Sequence, residues 1–323
     1  MIKEKIEIQY YEPWMKDQVA EIFKKEYKTD VSEFKELMTR LYEHEFQSSK
    51  CILIVAKIKE KIIGFQTFLY WPYSFEEKTY KSFQSGNSIV DSNYRGHGIF
   101  SNLLKFSDQK EIIEKIDFKM GFPVEASFKS FLKNKWINLF DLIWYMKIVN
   151  PFGFLFTKNK LKIYLGTPEK AKPISPYEHL QESDLDNFYD FKLNLNKGKE
   201  NYFSYTMELM DNRIVFDLKL QKRKKIINEL IIGSIKYKKF NENDIRKTLE
   251  EFIKLVIKSR CITILSIAIN EELEQEKMKN ILLKMKFKKL NKKIHFIVKK
   301  SHPEVKLPEI QKWNIGRSDV DTW

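Results

Sequence analysis

Glycine is scarce in this sequence, at ten residues in 323, and cysteine scarcer still, at two. Cys51 and Cys261 lie far apart, each in or beside an apolar run of strand character, and neither stands at metal-ligand spacing from other ligand residues. That pattern excludes a disulfide framework and a zinc module, and it predicts two buried reduced thiols in a cytoplasmic, reducing compartment. No metal site is expected. No window of eighteen residues is both apolar and uncharged, and residues 1–18 mix Lys, Glu, Asp and Tyr without the apolar core of a secretory signal. Nothing is expected to span a bilayer. The nearest stretch, Trp136 to Phe156, is interrupted by Asp141 and Lys147. It reads as paired core strands and an interdomain contact, with weak contact at a membrane surface as the alternative.

What the chain does have is apolar mass and positive charge. Hydrophobic residues make up 43% and aromatics 14%, enough to fill the two cores that this length predicts. Lys and Arg outnumber Asp and Glu by 58 to 44, a net charge of +14, densest at Lys219–Lys225 and Lys284–Lys293. No zinc-finger spacing, RNA-binding consensus or helix-turn-helix pattern accompanies these runs. They read as solvated faces, and nucleic acid is not an expected partner.

Residues 90–104, Val-Asp-Ser-Asn-Tyr-Arg-Gly-His-Gly-Ile-Phe-Ser-Asn-Leu-Leu, carry the most chemistry. Ser88, Ile89 and Val90 end a strand-like run, Gly96 and Gly98 sit in a polar turn, and Ile99, Leu103 and Leu104 recur at helical spacing. Glycines leave backbone N–H groups uncovered, and the first donors of a helix lack intrahelical partners. Together with about half a unit of positive charge from the helix dipole, they form a site for an anion such as phosphate. Arg95 adds a formal charge beside it.

This stretch resembles the acetyl-CoA loop of the GNAT superfamily of N-acetyltransferases, whose pattern is Arg or Gln, two residues, Gly, one residue, then Gly or Ala. Arg95, Gly98 and Phe100 occupy those positions, and the flanking form from Tyr94 to Ile99 is intact; Phe100 replaces the small residue. A second segment, Gly121 to Trp136, is similar to the "FPNxxSxxxFxKxxGW" segment of GNAT-like proteins of surface-polysaccharide clusters. It departs at Val124, at Phe131, where many members carry the Tyr that protonates the leaving thiolate, and at Lys135. The resemblance implies that Ile89, Val90, Arg95, Gly96, His97, Gly98, Ile99 and Phe100 hold acetyl-CoA as acyl donor. With Phe131 lacking a hydroxyl, no general acid is assigned.

The order of elements in residues 1–150 follows a GNAT domain: a strand at Ile6–Tyr10, helices at Trp14–Lys25 and Val31–Tyr42, a hairpin at Cys51–Ile58 and Lys61–Tyr70, a strand at Phe83–Val90, the loop and its helix, a strand at Phe118–Phe122, and a helix at Glu125–Lys133. Asn150, Pro151, Pro168, Pro173 and Pro176 then mark a connector. In residues 151–323 the second half of the pattern recurs, with strands at Glu229–Phe240, Cys261–Ile269 and Ile294–Lys299 and helices at Asn243–Ser259 and Glu272–Met285. Its junction at Asn241–Asp244 offers Asn, Glu and Asp without Gly, so this copy should not bind CoA. The expected class is α/β: tandem GNAT-like mixed sheets flanked by helices, with a degenerate second copy.

In resembling enzymes the strands on either side of the loop and its helix splay apart and the pantetheine arm lies between them. An N–H of the strand Ser85–Val90 would then face the thioester oxygen, and the acceptor amine attacks directly. Asp91 and Asn87 are the candidate catalytic residues, as base or as water relay with Ser85; Asp91 reads equally as the cap of its turn, and His97 as a solvent-facing turn residue. In the tail from Trp313 to Trp323, Asp319 and Asp321 are candidate acceptor-binding residues, or parts of a tail docked for stability alone. The implied activity is acetyl-CoA-dependent transfer to a small amine, an amino-sugar nucleotide among the options. The alternatives are a GNAT-shaped acyl-CoA-binding protein without catalysis and a Fem-like aminoacyl transferase. The oligomeric state is left open.

Overall fold

The structure is a computed structural model and describes residues 5–75, 78–114, 116–156, 187–188, 191–192, 202–209, 212–224, 226–237, 241–272 and 277–320. In chain order its elements are β1 (Glu7–Tyr10), α1 (Lys16–Tyr27), α2 (Val31–Tyr42), β2 (Ile52–Ile58), β3 (Lys61–Tyr70), β4 (Tyr73–Phe75), β5 (Lys78–Tyr80), β6 (Ser82–Val90), α3 (Ile99–Glu114), β7 (Phe118–Gly121), α4 (Glu125–Lys133) and β8 (Ile137–Ile148). The later elements are β9 (Tyr202–Leu209), β10 (Asn212–Arg223), β11 (Ile227–Tyr237), α5 (Glu242–Ser259), β12 (Ile264–Asn270), α6 (Lys277–Lys284) and β13 (Lys288–Lys300). They fall into two compact units, one of Met1–Leu139, His179–Leu195 and His295–Lys306, the other of Phe140–Glu178, Asn196–Ile294 and Leu307–Trp323.

In the first unit the strand order is β1-β2-β3-β6-β7-β13. The first four strands are antiparallel neighbours, β6 and β7 run parallel, and β13 returns antiparallel to β7. β3 is buried from Ile62 to Leu69, as a central strand covered on both faces must be. Helix α2 starts at Asp30, whose carboxylate accepts from the Ser32 and Glu33 amides at 2.8 and 3.3 Å. Its buried residues Phe34, Met38, Leu41 and Tyr42 recur at helical spacing and form one face. On α1, Phe23 adds to this layer, stacking on Phe34 at 3.9 Å between ring centres. The other main cluster joins Ile54, Phe68 and Phe83 of the sheet to Ile99, Leu103 and Leu104 of α3 and Phe131 of α4.

The second unit has the order β13-β8-β12-β11-β10-β9. Parallel pairing occurs between β11 and β12, and β12 is antiparallel to β8. Helix α5 buries Ile245, Leu249, Phe252, Ile253 and Val256, which recur at helical spacing, and Phe252 stacks on Phe216 of β10 at 4.7 Å.

Each unit takes its last strand from the other half of the sequence. The chain changes unit within β8, after Leu139, and again within β13, after Ile294. Nothing within either run gave a sign of this exchange, since each reads as one continuous strand. Trp136–Phe156 likewise holds one long strand, β8, followed by a short 3-10 turn at Gly153–Leu155, and not two paired strands. Two hairpins, β4–β5 and β9–β10, also had no counterpart among the expected elements.

Both cysteines are free thiols, Cys261 buried and Cys51 partly so, and burial pushes the Cys51 thiol up to about 12. Among the described residues no helix is long and apolar enough to cross a membrane. In the basic run Lys284–Lys293, Lys284, Lys289 and Lys293 pair with Glu242, Glu271 and Asp141, and Lys292 lies over the Trp144 ring.

Candidate functional site

The turn between β6 and α3 is open. Gly96 and Gly98 have φ of +81° and +74°, and a Cβ built on either would meet nothing within 4 Å. Left-handed backbone at both positions requires the residue without a side chain, and the open space leaves the main chain bare. The first bond that closes the helix runs from the Asn102 N–H to the Gly98 carbonyl at 3.0 Å. Backbone N–H groups from Gly96 to Ser101 have no backbone acceptor among the described residues. They are the unpaired donors that open a helix of sixteen residues, the kind of donor set with which helix starts can hold an anion.

Beside the turn the two parallel strands part. The β6–β7 ladder runs from Ser82↔Phe118 to Ser85↔Gly121 and stops, while β6 continues to Val90. At that point β6 bulges, since Thr67 faces Gly86 and Phe65 faces Ile89, leaving Asn87 and Ser88 opposite Gln66. Asn87 has φ of +36°, a strained value for a residue with a side chain. The main chain of Gly86 to Val90 thus has no ladder partner on the β7 side, a gap in the pairing that leads to the glycine turn.

The candidate residues distribute unevenly over this geometry. Ile89 is buried and Val90 half-buried beside the gap. Phe100 turns its ring away from the turn, edge-on to Phe131 at 5.2 Å, and Phe131 packs in turn on Trp136 at 5.0 Å. A bulky residue there therefore leaves the turn uncovered. His97 is exposed, its Nδ1 2.9 Å from the Arg95 carbonyl. Arg95 donates from Nε to the Val90 carbonyl at 3.0 Å and from its guanidinium to Glu26 at 2.5 Å, so its charge braces the turn.

Asp91 is buried and bonded as the cap of its turn. Its carboxylate accepts from the Asn93 amide at 3.0 Å and from the Lys25 ammonium. Burial raises its pKa, but these bonds and the charges of Lys25 and Lys61 outweigh that and hold it below the usual aspartate value. Glu26 follows the same pattern: burial opposes ionisation, and the Ser92 amide, Arg95 and Lys25 more than offset it. Both carboxylates are anchors of the turn, and a carboxylate stabilised in this way is a weak base.

Sequence reasoning missed several polar residues at the gap. Tyr42, Gln66 and Thr67 are buried behind the β6 bulge, and Asn87 donates to the Tyr42 hydroxyl at 2.5 Å. Gln66 stands out only in retrospect, as a polar residue in the middle of an apolar strand. His295 is buried, stacks on Phe128 at 3.8 Å and lies 2.9 Å from Glu125. The surrounding Ile-His-Phe was a local signal, but its place beside α4 depends on the strand exchange.

The second unit repeats the parting strands and fills them. The β11–β12 ladder ends at Ile232↔Ile267, and β11 bulges at Gly233. Gly233, Ser234, Ile235 and Tyr237 of β11 and Ile267 to Asn270 of β12 line a small cleft whose other walls are Met278 of α6 and the tail, Asn314 to Gly316. Gly316 lies so close that a Cβ would come within 2.3 Å of the Gly233 carbonyl. Trp313 is fully buried and donates to the Pro308 carbonyl at 2.9 Å. Asp319 is buried, and its carboxylate accepts from the Gly316 amide at 2.8 Å, an internal cap; Asp321 lies outside the described residues.

This fold is shared with solved acyltransferase structures. A GCN5-related N-acetyltransferase from Anabaena variabilis matches with a TM-score of 0.62 at 11% identity, over 92% of this chain and 73% of that one. The N-myristoyltransferase of Saccharomyces cerevisiae, solved with bound myristoyl-CoA, matches at 0.52 and 11% identity, over 98% and 84%. A tandem GNAT protein from the clavulanic acid biosynthesis pathway matches at 0.50 and 8% identity, over 93% and 100%. No protein-family model matches the chain, and no curated protein matches it in sequence. The chain has the GNAT fold, in a tandem arrangement.

Proposed function

We propose that this chain is an acyl-CoA-dependent N-acyltransferase, with acetyl-CoA as donor and a small amine as acceptor. The observation that carries the proposal is the bare turn at Gly96–Gly98, with its uncommitted N–H groups, opening directly onto the gap where β6 leaves β7. A diphosphate suits that turn: the donors converge from successive residues, and the helix dipole favours negative charge. The free edge of β6 beyond Ser85 suits an extended arm that pairs as an added strand would. Bound acyl-CoA supplies a thioester: as the amine adds, a C–N bond replaces the C–S bond, the thiol leaves, and the amine nitrogen gives up a proton.

The chain's own residues contribute orientation more than proton transfer. Asp91 and Glu26 hold the turn in shape through Lys25, Arg95 and the Ser92 and Asn93 amides. Phe131 offers no hydroxyl to the departing thiol, whose own acidity suffices near neutral pH. An amino-sugar nucleotide is the acceptor to test first, in keeping with the sequence resemblance, and the reaction would belong in the cytoplasm.

Thermal denaturation with acetyl-CoA tests the donor site. At 100 times its dissociation constant the ligand should stabilise the fold by about 2.7 kcal/mol. Gly98→Val should abolish that gain, because a β-branched residue resists the left-handed φ and its side chain covers the N–H groups. A wild-type chain that shows no shift with any acyl-CoA refutes the proposal, and binding without thiol release across amines would make the protein an acyl-CoA-binding module.

A further inference from the structure

Four hydrogen-bonding groups close a ring around one peptide bond of the β6 bulge. The Asn87 side-chain amide donates to the Tyr42 hydroxyl at 2.5 Å, that hydroxyl lies 3.1 Å from Thr67 Oγ1, and Thr67 Oγ1 donates to the Gly86 carbonyl at 2.9 Å. The amide nitrogen only donates and the carbonyl only accepts, so the order of protons is forced: Tyr42 donates to Thr67. Gln66 Nε2 adds a longer bond to the same carbonyl at 3.4 Å and holds Ser85 Oγ at 3.0 Å. Tyr42, Gln66 and Thr67 are all buried, so the ring is sheltered from competing water.

The ring fixes a direction. Both donors to the Gly86 carbonyl sit on β3, and the chain has no cis peptide bonds among the described residues. In a trans peptide the N–H points opposite to the C=O. The Asn87 N–H therefore points away from β3, toward the side on which β6 has parted from β7. A residue at φ of +36° would relax if it were free, and the ring holds it there.

We infer that Tyr42 and Thr67 are positioning residues that aim the Asn87 backbone N–H at the acyl carbonyl in the gap. The inference rests on the donor site proposed for the Gly96–Gly98 turn. A donor fixed before the substrate arrives needs no rearrangement as charge grows on the carbonyl oxygen, which is why such groups weigh heavily in acyl transfer.

The test compares the wild type with Tyr42→Phe, Thr67→Val and Thr67→Ser, using free CoA and acetyl-CoA labelled with 13C at the carbonyl. Free CoA should bind all four within about twofold, since its affinity comes from the turn at Gly96–Gly98. In the wild type and Thr67→Ser the infrared carbonyl stretch of bound acetyl-CoA should fall below its value in water. In Tyr42→Phe and Thr67→Val that fall should largely vanish, and thiol release to any accepted amine should slow about tenfold, less than the loss of a whole oxyanion donor. The double variant should be no worse than the poorer single one, as for members of one network. Binding by all four with an unchanged carbonyl stretch overturns the ring alone. If the wild type binds neither CoA nor acetyl-CoA, the donor site falls and takes the ring with it.

Discussion

Two pairs of parallel strands part in this chain, β6 from β7 and β11 from β12, and each pair does so just before a bulge, at Asn87 in one and Gly233 in the other. The helix starts beyond the two bulges are unlike. After β6 comes a turn with two left-handed glycines and uncovered amides, whereas α5 begins at Asn241, whose side chain accepts from the Asn243 and Asp244 amides at 3.0 and 3.3 Å. The first helix start leaves its donors without backbone acceptors among the described residues, and the second satisfies its own through Asn241. The gaps differ likewise: beyond Ser85 the edge of β6 has lost its ladder partner, and beside Gly233 lies the tail at Asn314 to Gly316. One architecture thus leaves bare main chain beside one pair of parting strands and sets the tail beside the other.

If the tail is the filling of the second gap, removing its anchor should cost much stability and little ligand affinity. Trp313→Ala deletes a fully buried indole and should destabilise the protein by about 3–5 kcal/mol in urea denaturation. Gly316→Ala, which must displace the Gly233 carbonyl, should cost about 1–3 kcal/mol. Acetyl-CoA affinity measured on the folded fraction should stay within about twofold for both. A large loss of affinity in a folded Trp313→Ala protein would instead give the tail, with Asp319 and Asp321, a part in the site.

A subtler probe concerns the anchors of the open turn. Asp91 and Glu26 both titrate below their usual values, so their contribution is complete above the unfolded-state values near 4. It shrinks as pH falls below those values and is lost under the lower folded-state ones. Lys25→Met removes one of the charges that depress both groups, so the acid limb of the stability curve should become shallower. Lys25 is 42% exposed, and the difference at pH 7 should stay below about 1 kcal/mol. An unchanged curve between pH 7 and pH 3 would mean that the amides of Ser92 and Asn93, with Arg95, hold the turn without Lys25.

The first unit was legible because its signals are local. The paired apolar runs Cys51–Ile58 and Lys61–Tyr70, and Gly96 and Gly98 between an apolar strand and an amphipathic helix, each depend on a few adjacent residues. The hydrogen-bonded support behind the site was not legible, since Tyr42, Thr67 and Asn87 meet only after α2 packs on the sheet. The strand exchange was hidden for the same reason: β8 pairs with β12 and β13 with β7 across long stretches of sequence, and nothing local to either run names its neighbour. Asp91 was open between base and cap, and only its bonds to Lys25 and Asn93 distinguish the two.

The smallest effect separates the two cysteines, one in each unit. Cys51 sits just before β2, where burial lifts its thiol to about 12, and Cys261 is fully enclosed below α5 within hydrogen-bonding distance of Ser259, at 3.3 Å. At pH 8 a thiol of that acidity is ionised in only about one molecule in ten thousand, so Cys51 should resist alkylation despite its partial exposure. Both thiols should react with a maleimide only as fast as the protein opens, and the order in which they become labelled along a urea gradient reads the stability of each unit separately. Labelling of Cys261 before Cys51 in Trp313→Ala, with the order reversed or simultaneous in the wild type, would locate the loss in the unit that the tail fills.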